Sequence, residues 1–264
     1  MSHHNPNDHQ QPQSQFILLG ASNLVLGLPW ILTHLEHGLR CSPNILAACG
    51  HGRSYGQRTS VLGRSLPGIL DCGIWDHLSH HPADRHVLIT DVGNDIMYGA
   101  TAETIADWVR TCIDRCQPTP GQLLMTQLPF DSLARLTDRK FRLIKAVMFP
   151  RHQVTWPIVA SRSQQLGESL RDIAADCGGQ LIEPELAWYG FDPIHIRRGH
   201  RRRAWQHIFS HWDAWDTTQN ARSPGPWKCL KSWRLRPQQR QLLGYSQLTS
   251  QPVIDRNSLQ LSLF

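Results

Sequence analysis

Four short stretches of the chain carry side chains that can do acyl-transfer chemistry together. Ser22 follows the apolar run Phe16-Ile17-Leu18-Leu19-Gly20, and the glycine-rich loop Gly50-His51-Gly52-Arg53 follows the run Asn44 to Cys49. Asn94 lies in Asp91-Val92-Gly93-Asn94-Asp95, after His86 to Thr90, and Asp192-Pro193-Ile194-His195 comes late in the chain. Acyl transfer needs a hydroxyl nucleophile, a base within hydrogen-bond reach, a group that orients the base, and donors for the developing oxyanion. In that scheme His195 takes the proton of Ser22, while Asp192 holds the other ring nitrogen and stabilises the imidazolium. The backbone amides of Ser22 and of a loop glycine, with the carboxamide of Asn94, supply oxyanion donors worth ~3 kcal/mol each.

Each stretch also has a plainer reading. A serine between a strand and a helix can be an N-cap, since Ser and Asn both accept from the first free amides. Asp-Pro-x-His can be a turn with a capping histidine, and Asn94-Asp95 a turn leading into a helix. The functional reading rests on the order of the four stretches and on their place at strand ends.

The elements that must position them follow from hydrophobic patterning. Buried strands are predicted at 16–19, 44–49, 86–90, 121–128 and 180–183. Leu24, Leu28, Ile31, Leu32 and Leu35 recur at helical spacing from Ser22 onward. Further helices are predicted over 101–116, 133–149 and 156–177, with a short linker around Arg151 and His152, and from about Arg197 to Trp215. Residues 60–80 read as irregularly helical, broken by Pro67, Gly68 and Gly73. Apolar strands alternating with helices imply a parallel sheet covered on both faces, a three-layer α/β/α domain of about five strands. In such a sheet the strand-to-helix loops share one edge, so residues distant in sequence can converge there.

The four stretches resemble the SGNH hydrolases, the GDSL-like esterases. That family places its serine in a Gly-Asp-Ser block, a loop glycine after the second strand, a Gly-x-Asn-Asp block after the third, and a late Asp-x-x-His. Gly20-Ala21-Ser22, Gly50-x-Gly52, Val92-Gly93-Asn94-Asp95 and Asp192-Pro193-Ile194-His195 stand here in that order, across residues 16–212. The resemblance implies a flavodoxin-like, doubly wound fold, Ser22 as nucleophile with His195 and Asp192 completing the triad, and Gly52 and Asn94 beside the Ser22 amide as oxyanion donors. Ala21 replaces the family's Asp and Val92 a glycine, and Gly50 competes with Gly52 for the second block. The Gly-x-Ser-x-Gly elbow of α/β-hydrolases is not met, because Leu24 occupies its last position.

Composition bounds the remaining possibilities. The formal charge of +6 sits wholly in the last 48 residues, since residues 1–216 carry 20 basic and 20 acidic side chains. The chain thus divides into a polar N-terminal tail (1–15) expected to be disordered, an α/β/α domain (16–216) and a basic extension (217–264). Within that extension Trp233 to Leu235 and Ser258 to Phe264 are candidate strands. Seven scattered cysteines without a C-x-x-C pair read as reduced thiols in a reducing compartment, and Cys112 and Cys116 lack further partners for a metal site. No signal peptide or membrane-length apolar run is visible, so a soluble, cytoplasmic protein is expected. No Gly-x-Gly-x-x-Gly follows the first strand, and the reaction itself calls for neither metal nor organic cofactor. Trp188, Tyr189 and Phe191 can wall an acyl pocket, whereas Arg197, Arg198, Arg201, Arg202 and Arg203 circle a helix as a solvated surface does.

The expectation is therefore a serine ester hydrolase or acyltransferase acting on an acylated small molecule or carbohydrate. The competing expectation is a non-catalytic binding protein of the same fold, using the basic, aromatic extension on nucleic acid or another anionic partner. No nucleic-acid module is recognisable, which disfavours that second reading. Neither acyl specificity nor oligomeric state is legible.

Overall fold

The computed structural model describes residues 14–78, 84–148, 153–218 and 223–264. The expected N-terminal tail up to residue 13, and the expected linker at Arg151 and His152, lie outside the described residues. In chain order the elements are β1 (Gln15–Leu19), α1 (Ser22–Gly38), β2 (Asn44–Ala48), β3 (Thr59–Val61), β4 (Arg64–Leu66), β5 (Arg85–Ile89), α2 (Asn94–Met97), α3 (Ala102–Cys116) and β6 (Leu123–Thr126). They continue with α4 (Phe130–Leu133), α5 (Asp138–Met148), α6 (Trp156–Asp176), β7 (Gln180–Ile182), α7 (Arg201–Phe209), α8 (Pro226–Ser232), β8 (Gln239–Leu242), β9 (Tyr245–Leu248), β10 (Ile254–Arg256) and β11 (Leu259–Leu263).

The main sheet has the order β10-β11-β2-β1-β5-β6-β7, parallel except for β10. Counted among the strands common to sequence and structure, the run β2-β1-β5-β6-β7 is the 2-1-3-4-5 order of flavodoxin-like folds. Strands buried on both faces are nearly all aliphatic, and Phe16, Ile17, Leu18 and Leu19 are fully inaccessible. Odd and even side chains feed two cores. Ile17, Leu19, Val87 and Ile89 pack with α3 and α6, while Phe16, Leu18 and Leu88 pack with α1 and α7. These are the three layers.

Because α1 and α3 leave the sheet on opposite faces, a crevice opens between the carboxyl ends of the adjacent strands β1 and β5. This is the topological switch point at which such sheets bind ligands. Ser22 follows β1 there, and Asp91 to Asn94 follow β5.

The expected layers are present, and four details differ from expectation. Residues 60–80 are not irregularly helical throughout: they open as the hairpin β3–β4 and only then coil into two 3₁₀ turns, Ile69–Asp71 and Gly73–His77. The sheet has seven strands rather than five, because the basic extension contributes β10 and β11. Leu259, Leu261 and Leu263 bury themselves beside β2, so the end of the extension packs into the core of the preceding domain. Trp233 to Leu235 form no strand, and Trp233 is exposed. A second sheet, β3-β4-β8-β9, joins the early hairpin to a hairpin of the extension. Among the described residues no helix is long and apolar enough to cross a membrane.

Candidate active site

The turn after β1 is tight. A Cβ on Gly20 would stand 2.7 Å from Thr90 Cγ2 and 3.1 Å from the Thr90 carbonyl oxygen, so this position admits only glycine. Helix α1 then begins at Ser22 without a side-chain cap of its own. Its free amides are met from across the crevice: Ala21 N–H and Asn23 N–H donate to Asp91 Oδ2 at 3.0 and 2.9 Å. A carboxylate at the positive end of a helix is favourable both as acceptor and as charge. Asp91 holds φ +61°, a conformation Asp tolerates better than most residues.

With its helix end capped elsewhere, the Ser22 hydroxyl is available to His195. Placing the ring proton on Nδ1 lets it donate to Asp192 Oδ2 at 2.6 Å. His195 Nε2 then accepts the Ser22 hydroxyl proton at 2.7 Å. The other Asp192 oxygen accepts the backbone amides of Ile194 and His195 at 3.1 and 3.3 Å. Burial alone would raise the Asp192 carboxyl, but the hydrogen bond and charge of His195 with these amides outweigh it and hold it below its ordinary value. The carboxylate is thus ionised wherever a neutral imidazole can act as base.

Asn23 joins the two loops. Its Nδ2 donates to Asp91 Oδ1 at 2.7 Å and to the Ile194 carbonyl at 2.9 Å, while its Oδ1 accepts Ile196 N–H at 2.9 Å. Every polar atom of this carboxamide is used, and the result ties the serine turn to the Asp192–His195 loop. Desolvation raises the buried Asp91 carboxyl, opposed by the donors from Asn23 and Ala21.

Asn94 Nδ2 is buried and has no partner among the described residues. A native donor left unpaired in this way calls for an explanation. The side chain shares a cavity wall with Ser22, where an oxyanion would complete it. Gly52 adopts φ +62° and its carbonyl accepts the Tyr98 hydroxyl at 2.5 Å. It lies outside the cavity wall but on a loop near the triad, since His195 is one of the charges that, after burial and Arg64, depress His51. Of the two candidate glycines, only Gly52 has the left-handed backbone; the Gly50 carbonyl closes a turn onto Arg53 N–H. Arg53 is fully buried and donates to the carbonyls of Pro67 and of Phe264, which anchors the glycine loop to the last residue of the extension.

Behind Ser22 lies a cavity of about 120 Å³, lined by apolar side chains that include Leu128, Leu133, Leu136, Phe141, Trp156 and Val159. Trp188 and Tyr189 contribute to it as the sequence suggested, but Phe191 does not: it is exposed, with Lys140 Nζ 4.8 Å from its ring centre. Arg201 lies over Trp30 and donates to the Leu26 and Ile196 carbonyls at 3.0 and 3.2 Å. Sequence reasoning missed Asp91, Asn23, Tyr98 and Arg53. Asp91 alone had a signal, a carboxylate directly after a buried strand. Cys112 and Cys116 are buried thiols raised by desolvation, and no cluster of three potential ligands among the described residues could hold a metal ion.

No protein-family model matches the chain, and no curated protein is similar to it. Among solved structures it is similar to a carbohydrate acetylesterase family member from Sinorhizobium meliloti, with 13% identity and a TM-score of 0.47 over 74% of this chain and 95% of that one. It is also similar to a member of the lipolytic G-D-S-L family from Veillonella parvula DSM 2008 (13%, 0.44, covering 75% and 95%). A third likeness is to a protein from Agrobacterium tumefaciens str. C58 described as an arylesterase (14%, 0.43, covering 75% and 97%).

Proposed function

We propose that the chain is an SGNH-type serine ester hydrolase whose substrates carry a compact apolar acyl group. The observation that carries this reading is the hydrogen-bonded file Asp192–His195–Ser22 opening on an apolar cavity whose wall also holds the unpartnered Asn94 amide. Ser22 Oγ attacks the ester carbonyl as its proton passes to His195 Nε2. The tetrahedral oxyanion is held by Asn94 Nδ2 and by the backbone amides of Ser22 and Gly52. Collapse breaks the ester C–O bond, and the leaving alkoxide takes the proton from His195, leaving Ser22 acylated. Water then attacks the acyl carbon, gives its proton to His195, and the carboxylic acid departs as Ser22 recovers a proton. An alcohol in place of water gives acyl transfer by the same steps.

The size of the acyl group follows from the cavity. A cavity of about 150 Å³ lined by Leu, Ile and Phe binds benzene. The 120 Å³ here suits a phenyl ring or an acyl chain of roughly four to six carbons, and an acetyl group leaves most of it empty. The seven free cysteines support a cytoplasmic location.

The test is a series of p-nitrophenyl esters from acetate to decanoate, with a fluorophosphonate probe and mapping of the labelled peptide. The expected results are labelling at Ser22, kcat/KM highest from butanoate to hexanoate, and at least ~10³-fold loss in Ser22→Ala. Absence of both labelling and turnover refutes the esterase. A flat chain-length profile refutes only the assignment of the cavity.

A further inference from the structure

The tips of the second sheet are built unusually. Leu62-Gly63 closes β3–β4 and Leu243-Gly244 closes β8–β9, with φ of 50°, 73°, 49° and 88° in that order. Positive φ at both central residues is the type I′ pattern, whose first position ordinarily takes Asn, Asp or Gly. A leucine there meets the steric penalty of the left-handed region. Burial does not explain it, because Leu62 is 98% and Leu243 75% exposed. The two turns touch, with Leu243 N–H donating to the Gly63 carbonyl at 2.8 Å, so the leucines form one apolar fork.

Pairing Val61 with Arg64, Arg64 with Leu242, and Leu242 with Tyr245 aligns these four residues across the sheet, on one face, directly behind the fork. Tyr245 is 78% exposed, an apolar body with a polar tip. Arg240 shares that face one pair further back. Its Nε donates to Gln247 Oε1 at 2.7 Å, and its guanidinium pKa is lowered first by burial and then by the charges of Arg236 and Arg64. Arg64 and Arg240 thus put two cations behind the leucines, with Arg236 on the approach to β8. Among the described residues none of the three makes an ion pair. The fork is rooted beside the glycine loop, since Val61 Cγ2 stands 2.7 Å from where a Gly52 Cβ would be.

We propose that the twin Leu-Gly turns, backed by Arg64 and Arg240, dock the protein on an anionic lipid bilayer. The leucines and Tyr245 enter the headgroup–acyl boundary, and the guanidiniums meet anionic headgroups. Two exposed leucines in strained turns are accounted for by an apolar phase at that point, and uncompensated arginines by negative charge around it. The docking stands without any ester hydrolysis. If the chain is an esterase, it also sets the crevice at a surface where lipophilic esters concentrate.

Full-length protein would be floated with vesicles of phosphatidylcholine alone or mixed with phosphatidylglycerol. Binding to the mixed vesicles is expected, weakened by salt, with little binding to phosphatidylcholine. Leu62→Asn with Leu243→Asn suits the left-handed turns, so melting temperature and turnover of soluble p-nitrophenyl esters are expected to hold. Vesicle affinity should fall about tenfold per leucine. Arg64→Gln with Arg240→Gln should abolish the preference for phosphatidylglycerol. Wild-type protein that binds neither vesicle overturns the proposal, as does binding untouched by the Asn pair. Self-association that the Asn pair abolishes, without vesicle binding, would assign the fork to a dimer contact instead.

Discussion

Asn94→Ala separates catalysis from folding at one atom. The Nδ2 group is buried and has no partner among the described residues, so the truncation breaks no hydrogen bond made by that nitrogen. Leaving a buried donor unpaired costs about 1–3 kcal/mol, and its removal offsets the packing lost with the side chain. Net stability is therefore expected to change by less than about 1 kcal/mol, or to rise slightly. Catalysis is expected to behave differently. Losing one oxyanion donor costs about 10²–10³ in kcat, or ~2.7–4 kcal/mol, because the bond exists only once charge reaches the carbonyl oxygen. The loss should fall on kcat with KM nearly unchanged. Asn94→Asp keeps the shape but sets a carboxylate against the oxyanion, and should be at least as slow. The assay is steady-state hydrolysis of p-nitrophenyl butyrate beside urea unfolding, with the rate of fluorophosphonate labelling at Ser22 as a third reading. A kcat loss below about tenfold would refute the oxyanion role. A stability loss above about 2 kcal/mol would show that Asn94 is a structural residue whose partner is present in the resting protein.

Other outcomes follow from the groups around it. Asp91→Asn presents an N–H₂ or a single neutral acceptor to the amides of Ala21 and Asn23, which now share a carboxylate; losing charge-assisted bonds of this kind should cost about 2 kcal/mol in urea unfolding and slow turnover at least tenfold. Tyr98→Phe removes the hydroxyl that donates to the Gly52 carbonyl, and kcat should drop about five- to tenfold for a bond worth roughly 1 kcal/mol. Asp95 is inaccessible and burial raises its carboxyl to about 6, against donors from Ser54 and the Tyr55 amide. Its folded value lies above the unfolded one, so the folded state holds the proton more tightly. Its contribution is fully present below about pH 4 and is lost as pH rises through 6. Unfolding free energies of wild type and Asp95→Asn measured at pH 4.5 and 7 should therefore diverge by about 2 kcal/mol, with wild type relatively weaker at pH 7; parallel values would remove Asp95 as the source.

The five parallel strands, and the place of the Ser22, Gly52 and Asn94 stretches at their ends, were legible because both are local. A run such as Phe16 to Leu19 is aliphatic on both faces, and each strand ends in a glycine or polar loop. The second sheet was not legible for the opposite reason. Arg64-Ser65-Leu66 and Gln239-Arg240-Gln241-Leu242 are polar, and only their pairing with one another makes them strands. Likewise β11 shows an alternation of leucines, yet its two-sided burial comes from β2, more than 200 residues earlier. The cavity beside Ser22 draws on α4, α5 and α6, which come together there only through the tertiary fold.

Ala21 sets no carboxylate beside Ser22, and the amides around the serine find one from across the crevice. The amide of Ala21 and that of Asn23 still end on a carboxylate, contributed by Asp91 from the loop after β5 rather than by the residue beside the serine. Moving the carboxylate there has a mechanical consequence. Asp91 is three residues from Asn94 and, through Asn23, two hydrogen bonds from the backbone of Ile194, so a single buried charge sets the serine turn, the Asn94 loop and the histidine loop in register. The charge of Asp91, opposed by burial and sustained by three donors, is therefore spent on aligning the site rather than on chemistry, and its neutralisation should disturb all three loops at once.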